Sequence, residues 1–187
     1  DDFEIVLNHI RENLHDAHWR EVLLLLIAQQ KPKKAAKAMR AILAANSEYE
    51  EWLHRDLFFA GSCLAENIKE LKVVDSSLTV EILEKLVELE VRGEKQVGDR
   101  VRSQVFQILC SMNETEFEVQ TLQLLKAKGV DGNRLWRYQA ELGEKEAAIS
   151  SLLLRLEDGN ENVHFSAAFA LSRFGNASET VISALLL

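Results

Sequence analysis

The chain has 187 residues, of which 47% are hydrophobic and 28% are charged, so it is long enough to bury a continuous core. Its net charge of −8 argues against nucleic acid as the main ligand, because Lys and Arg carry phosphate binding. One proline and eight glycines leave little room for a turn-rich β protein, so we expect an all-α fold.

Apolar residues at helical spacing begin at Phe3. They predict four helices in the first third of the chain, over 2–13, 17–30, 32–45 and 48–66. The helix at 17–30 is apolar most of the way round, which indicates burial on several sides. Ser47 is expected to cap the fourth helix.

Long linkers flank the next helix. One of residues 75–77 should open it, and the loop from Gly93 to Gly98 is the best candidate for a hinge. This loop has the glycine spacing of a phosphate-binding loop, but Asp99 and Arg100 stand where Lys and Ser or Thr are required. A carboxylate there would repel phosphate, so we reject a nucleotide site.

Two stretches of the second half, 101–113 and 163–175, align without a gap. Asn113 and Gly175 close them and Gly143 falls between, at intervals of 30 and 32 residues. Asn and Gly tolerate the left-handed backbone that ends many helices. A recurrence near 31 residues is typical of stacked helix pairs. We therefore predict an α-solenoid, a superhelix of antiparallel helix pairs.

The remaining elements continue this alternation. Helices are predicted over 99–112, 115–129, 133–142, 144–157, 161–174 and from 178 onward. The run from Thr115 to Glu118 has the sequence of a capping box.

The spacing of the predicted helices is more regular in the second half of the chain than in the first, which suggests three segments. These are an irregular helical module at 1–67, a transitional helix and hinge at 68–98, and regular repeats at 99–187, with one continuous solenoid as the open alternative. Because the chain ends on Leu187 without a polar cap, we expect the last repeat to be truncated.

One basic cluster stands out, and Lys33, Lys37 and Arg40 share its exposed helix face. A solvated face is the simple interpretation, and docking onto an acidic neighbour is the alternative. Further partner-binding candidates lie on the second helices of later pairs, where a solenoid forms its concave surface. They are Glu81, Lys85, Gln123 and Lys126.

No catalytic, cofactor or metal site is predicted. His15 and His18 are the only close pair of histidines, no Cys or second pair completes a metal site, and no Ser/His/Asp grouping stands out. Cys63 and Cys110 lie in apolar helical patterns, and we interpret them as reduced core residues. With no signal peptide or membrane segment visible, the expected compartment is the cytoplasm.

Each of three tryptophans, Trp19, Trp52 and Trp136, falls on the first helix of a predicted pair. A buried position is the usual outcome in such a pattern. An exposed tryptophan would instead indicate an interface anchor.

Two family resemblances follow from short segments. The run Ala167-Ala168-Phe169-Ala170-Leu171-Ser172-Arg173-Phe174-Gly175 resembles HEAT-like repeats, an armadillo-type fold found in phycobiliprotein lyases and many bacterial scaffolds. The segments at 18–26 and 56–66 are similar to the helical region that follows the nucleotide-binding module in bacterial, especially cyanobacterial, NACHT-type signalling NTPases.

The second resemblance implies a non-enzymatic scaffold or sensor for signal transduction, which would bind a protein partner along the solenoid surface. The partner could be an upstream NTPase domain of the same chain, and any ATPase activity would lie there. The first resemblance implies the alternative of a phycobilin lyase-type subunit that acts on a bilin chromophore. Binding of nucleic acid to a HEAT scaffold would need a concentrated Lys/Arg groove.

Overall fold

The protein is helical throughout the part described by its structure, a computed structural model that covers residues 2–92, 97–157 and 160–172. Within these ranges there is no strand, so the predicted all-α class is confirmed. The helices are α1 Asp2–Asn13, α2 Arg20–Ala28, α3 Pro32–Leu43, α4 Glu50–Leu53, α5 Arg55–Ala65, α6 Leu71–Val74, α7 Ser76–Val91, α8 Asp99–Cys110, α9 Glu118–Ala127, α10 Gly132–Glu141, α11 Lys145–Leu156 and α12 Glu161–Ser172.

Residues 1–130 form one compact unit, in which the long helices lie in two rows. The first row contains α1, α3, α7 and α9, with the short helix α6 packed against both α3 and α7. The second row contains α2, α5 and α8, and α5 contacts both of the others. Contacts of α3 with α5 and of α7 with α8 join the rows. Packing between near neighbours along the chain is compatible with a helical repeat.

Helix α3 shows how the sequence pattern produces this packing. Pro32 lies in its first turn, where the missing N–H has no partner to lose. Its small and branched apolar residues are buried and its cations are exposed, as predicted from their spacing. Helix α2 departs from expectation, because Val22 and Leu25 are about half exposed although Leu23 and Ile27 are buried.

Residues 131–187 form a second compact unit. In its described part α11 packs against both α10 and α12. The buried core contains Ile149, Leu152, Ala167, Ala170 and Leu171, and Trp136 packs against it.

The two aligned stretches share a burial pattern. Val105, Ile108 and Leu109 of α8 are buried, and so are their counterparts 62 residues later in α12, Ala167, Ala170 and Leu171. Equivalent positions of the alignment therefore face a core in both helices, as a repeat requires.

The structure corrects the helix predicted at 48–66. The chain instead forms α4 and α5, separated by His54 with φ of +49°, and α4 begins after Tyr49 with φ of +64°. Neither position carries the Gly or Pro that marks a break in a sequence. The long linker expected before the helix that opens at 75–77 also contains most of α6.

Predictions for the helix ends are partly confirmed. Gly129 and Gly143 adopt the left-handed conformation expected of them, with φ of +71° and +76°. At the end of α8, however, Glu114 rather than Asn113 has a positive φ, of +60°. The capping-box prediction is also modified, because Glu118 accepts the N–H of Glu114 at 2.7 Å instead of that of Thr115.

Other predictions fall outside the described residues. These are residues 93–96 of the hinge predicted at 93–98, the helix end at Phe174 and Gly175, and the helix from Ser178 onward. The three segments expected at 1–67, 68–98 and 99–187 stay predictions. Across the described ranges, every helix is too short or too polar to cross a bilayer.

Candidate functional site

The predicted partner-binding residues all lie on helices of the first row. Lys33, Lys37 and Arg40 are exposed on α3, whereas the other four lie on α7 and α9. Gln123 and Lys126 are exposed on α9. The prediction thus concerns one row, but the structure does not bring all seven side chains together.

Several of these charges are already paired within the chain. Lys37 Nζ lies 2.8 Å from Glu4 Oε1, and its hydrogen bond and charge lower the pKa of Glu4. Arg40 donates two hydrogen bonds of 2.7 Å to the carboxylate of Asp75. Glu81 lies 2.7 Å from Lys85 Nζ and 3.7 Å from Arg40. A partner that binds here must replace these pairs.

The three tryptophan side chains are less buried than the sequence pattern predicts. Trp52 is 69% exposed on α4, so its predicted burial is wrong, and Tyr49 beside it is 61% exposed. Trp19 is half-buried, with its ring edge-on to His9 at 4.8 Å between centroids. Trp136 is partly buried against the core of the second unit.

A polar cluster that the sequence did not suggest joins the start of α2 to the start of α5. His15 Nε2 lies 2.7 Å from Ser47 Oγ and 2.9 Å from Asp56 Oδ1. Asp56 is almost fully buried, and its Oδ2 accepts the N–H of Ser47 at 2.8 Å. His15 lies 32 residues from Ser47, so only tertiary folding brings the two together.

This Ser/His/Asp cluster lacks the geometry of a hydrolase triad. In a triad the acid binds one ring nitrogen of the histidine while the nucleophile faces the other. Here Ser47 and Asp56 both face Nε2 of His15. The arrangement therefore anchors the chain between helices and does not activate the serine.

Glu50 completes the start of α5. Its carboxylate accepts the N–H groups of Asp56 at 2.8 Å and of Leu57 at 3.1 Å, which otherwise lack helical partners. Burial raises the pKa of Glu50, and these two hydrogen bonds partly oppose the rise. A side chain from the preceding turn thus caps α5 in place of the predicted Ser47.

Next to this cluster is an open groove of about 440 Å³, which we call the arginine groove. Arg20, Arg55 and Arg100 line it, one from each helix of the second row. Gln104 and Gln107 line it from α8. Each arginine is the first or second residue of its helix, where the helix dipole disfavours a cation.

The hydrogen bonds that these arginines make inside the chain leave some of their guanidinium N–H donors available. Arg20 donates to Ser62 Oγ at 2.8 Å and to Glu21 at 2.9 Å, while Arg55 donates to the carbonyl of His15 at 3.3 Å. The side chain of Arg100 makes no hydrogen bond or ion pair with another described residue. Among the described residues of the wall, Asp16 supplies the one carboxylate.

Sequence reasoning missed this groove because its arginines are 35 and 45 residues apart. The usable signal was the position of each arginine at the start of a helix. The predicted starts at 17 and 48 concealed it, since α2 and α5 begin at Arg20 and Arg55.

The cysteines and acidic groups offer little reactive chemistry where they are described. Cys63 is fully buried, and this burial raises the pKa of its thiol. Cys110 is only partly buried, which corrects the expectation that both are core residues. No group of three or more His, Cys, Asp or Glu in the described ranges is arranged to hold a metal ion.

Comparisons of the chain with protein-family models, with curated proteins and with solved structures find no match.

Proposed function

We propose that this chain is a non-enzymatic protein-interaction scaffold built from helical repeats of the HEAT-like type. The observation that carries the proposal is the two-row packing of residues 1–130, in which neighbouring helices cover each other and leave long polar faces exposed. In repeat proteins such faces form extended binding surfaces.

The partner surface in this proposal is the exposed face of α3, α7 and α9. Lys33 is exposed and makes no ion pair with another described residue, so it can meet an acidic partner without losing an internal contact. Exposed pairs such as Lys37–Glu4 contribute little to stability, because water screens the two charges, so a partner can replace them at small cost.

The proposal includes a cytoplasmic sensor role beside an upstream NTPase domain of the NACHT type. Its support is the resemblance of the segments at 18–26 and 56–66, which lie largely on α2 and α5. These two helices pack against each other, so the similar segments belong to one structural neighbourhood. In this role, partner binding shifts how the repeats pack on the NTPase domain.

The test uses the intact chain. A partner is captured by cross-linking, purified, and titrated against the wild type and two charge-reversal variants. Lys33→Glu with Lys37→Glu changes the proposed surface, and Lys69→Glu with Lys145→Glu makes the same charge change at other exposed sites. We expect about tenfold weaker binding for the first variant and unchanged binding for the second.

Equal affinities for the wild type and both variants would exclude the α3 face as the partner surface. Failure to reconstitute saturable binding with any purified partner would remove the scaffold proposal itself.

A further inference from the structure

The arginine groove is rich in positive charge, although the protein as a whole is acidic. Three guanidinium groups and the carboxylate of Asp16 line it, and Glu21 outside the lining pairs with Arg20, whereas the whole chain carries a net charge of −8. Like charges gathered in one cleft repel each other, and an anion that binds between them relieves this repulsion. The placement of all three at helix starts adds to the local positive potential.

The groove also has an apolar lining. It consists of Leu14, Phe58, Phe59 and Ile108, and all four side chains are largely buried. The groove volume of about 440 Å³ lies within the range of about 300–1,000 Å³ that is typical of small-molecule pockets. This combination suits a ligand with an anionic end and a planar or apolar body.

Donor number favours phosphate over carboxylate. A guanidinium carries five N–H donors, and the bonds inside the chain use two of Arg20 and one of Arg55. Gln104 and Gln107 add carboxamide groups. The two oxygens of a carboxylate cannot satisfy so many donors, whereas the three terminal oxygens of a phosphate monoester bind several guanidinium groups at once.

Two of the three arginines are held by the chain before any ligand arrives. The carbonyl of His15 accepts a hydrogen bond from Arg55, and the His15 ring lies 2.7 Å from Ser47 Oγ and 2.9 Å from buried Asp56. Ser62 Oγ accepts a hydrogen bond from Arg20 in the same way. Prepared donors lose less conformational entropy on binding, which favours affinity.

We propose that the arginine groove binds a small phosphate monoester whose planar or apolar body lies on Phe58 and Phe59. This site goes beyond the scaffold proposal and does not depend on it, because it uses the second row of helices and not the face of α3, α7 and α9.

Calorimetric titration of the intact chain at low salt tests the proposal, with phenyl phosphate, inorganic phosphate, benzoate and a short oligoglutamate peptide as probes. We expect phenyl phosphate to bind saturably, about tenfold more tightly than inorganic phosphate or benzoate. Arg55→Gln with Arg100→Gln should weaken this binding at least about tenfold. Arg20 is left unchanged, because its bond to Ser62 supports packing.

A second cavity supplies a matched control. Lys85 and Arg92 line it together with Glu50, Glu51 and Glu88, so its carboxylates outnumber its cations. Lys85→Gln with Arg92→Gln removes the same two charges as the groove variant and should change phenyl phosphate binding less than about twofold. Thermal unfolding of all variants verifies that they remain folded.

Any of four results would overturn the proposal. The first three are the absence of saturable phenyl phosphate binding, equal weakening in the groove and control variants, and benzoate binding as tight as that of phenyl phosphate. Arginine-dependent binding of the oligoglutamate peptide alone would also overturn it and would assign the groove to an acidic peptide.

Discussion

Asp75 caps one helix and forms an ion pair with another. Its Oδ1 accepts the N–H of Leu78 at 3.0 Å and thereby caps α7. The same carboxylate receives both hydrogen bonds from Arg40 of α3. These bonds, with Arg40 the main cause, hold the pKa of Asp75 far below its usual value of 3.8. One side chain thus starts a helix and ties it to another.

Substitution of Asp75 should separate the two tasks. Asp75→Ala loses the cap and the ion pair, and we expect it to reduce the free energy of unfolding by about 1–2 kcal/mol. Asp75→Asn keeps an oxygen that can cap α7 but loses the charge, so a smaller loss of about 0.5–1 kcal/mol is expected. Urea unfolding at neutral pH measures both.

The pH dependence gives an independent check. A carboxyl group with a lowered folded-state pKa stabilises the protein above its unfolded pKa, and this stabilisation fades as pH falls toward the folded value. The difference in free energy of unfolding between the wild type and Asp75→Asn should therefore be constant above about pH 5 and should become smaller in acid. A difference that stays constant in acid would refute the ionic role. Glu84→Gln, at an exposed position of α7, serves as the control.

At this scale, local chemistry was predictable and tertiary chemistry was not. A cap at 75–77 followed from Asp and Ser before an apolar run, and the structure assigns it to Asp75. The His15, Ser47 and Asp56 cluster has no sequence signal, because its members are far apart in the sequence and Asp56 stands immediately before an apolar run. The arginine groove was missed for the same reason.

Among the elements, α5 is the one on which the second row depends. Gly61 lies in its middle, and a Cβ atom there would lie 2.8 Å from Ile108 Cγ2 of α8 and 3.0 Å from Leu86 Cδ1 of α7. Glycine in a helix costs about 0.5–1 kcal/mol relative to alanine. The close approach of α7 and α8 explains its presence here.

A larger side chain at Gly61 should force these helices apart. We expect Gly61→Val to lower the free energy of unfolding by about 2–3 kcal/mol through overpacking. A double-mutant cycle with Ile108→Ala measures the contact directly, because the second substitution removes Cγ2. The cost of Gly61→Val should fall by at least about 1 kcal/mol in that background. Additive effects would show that the strain lies elsewhere.

Element type was easier to predict than element ends. Spacing identified most of the long helices, because burial of one face requires a helical period. The break at His54 was not predictable, since Glu50 stabilises it through side-chain hydrogen bonds that resemble no sequence motif. Residues 50–53 then form a separate short helix that carries the exposed ring of Trp52.

For the whole molecule, the described parts of the two compact units differ in how many apolar side chains they bury. Residues 1–130 contain most of them, whereas the described part of the second unit contributes eight, namely Tyr138, Leu142, Ala148, Ile149, Leu152, Ala167, Ala170 and Leu171. Stability rises with the fraction of surface that a domain buries, so a small unit is marginal by itself.

Separate production of the two units should expose this difference. We expect residues 1–130 to unfold cooperatively on heating, and residues 131–187 to lose helical signal gradually, as followed by circular dichroism. Cooperative unfolding of 131–187 at a temperature equal to or above that of 1–130 would contradict this expectation.

The all-α class followed from composition and period, and equivalent positions of the two aligned stretches are buried alike. The superhelical arrangement stays a prediction, because it depends on small angles between successive helices that composition does not encode.

The two-row packing also bears on how the chain reaches its native state. Because the helices of residues 1–130 contact partners that are near in sequence, few long loops must close before stabilising contacts form. Folding rates rise as the sequence separation of contacts falls. Neighbouring helices of this unit can therefore pair early in folding, before segments that are distant in sequence come together.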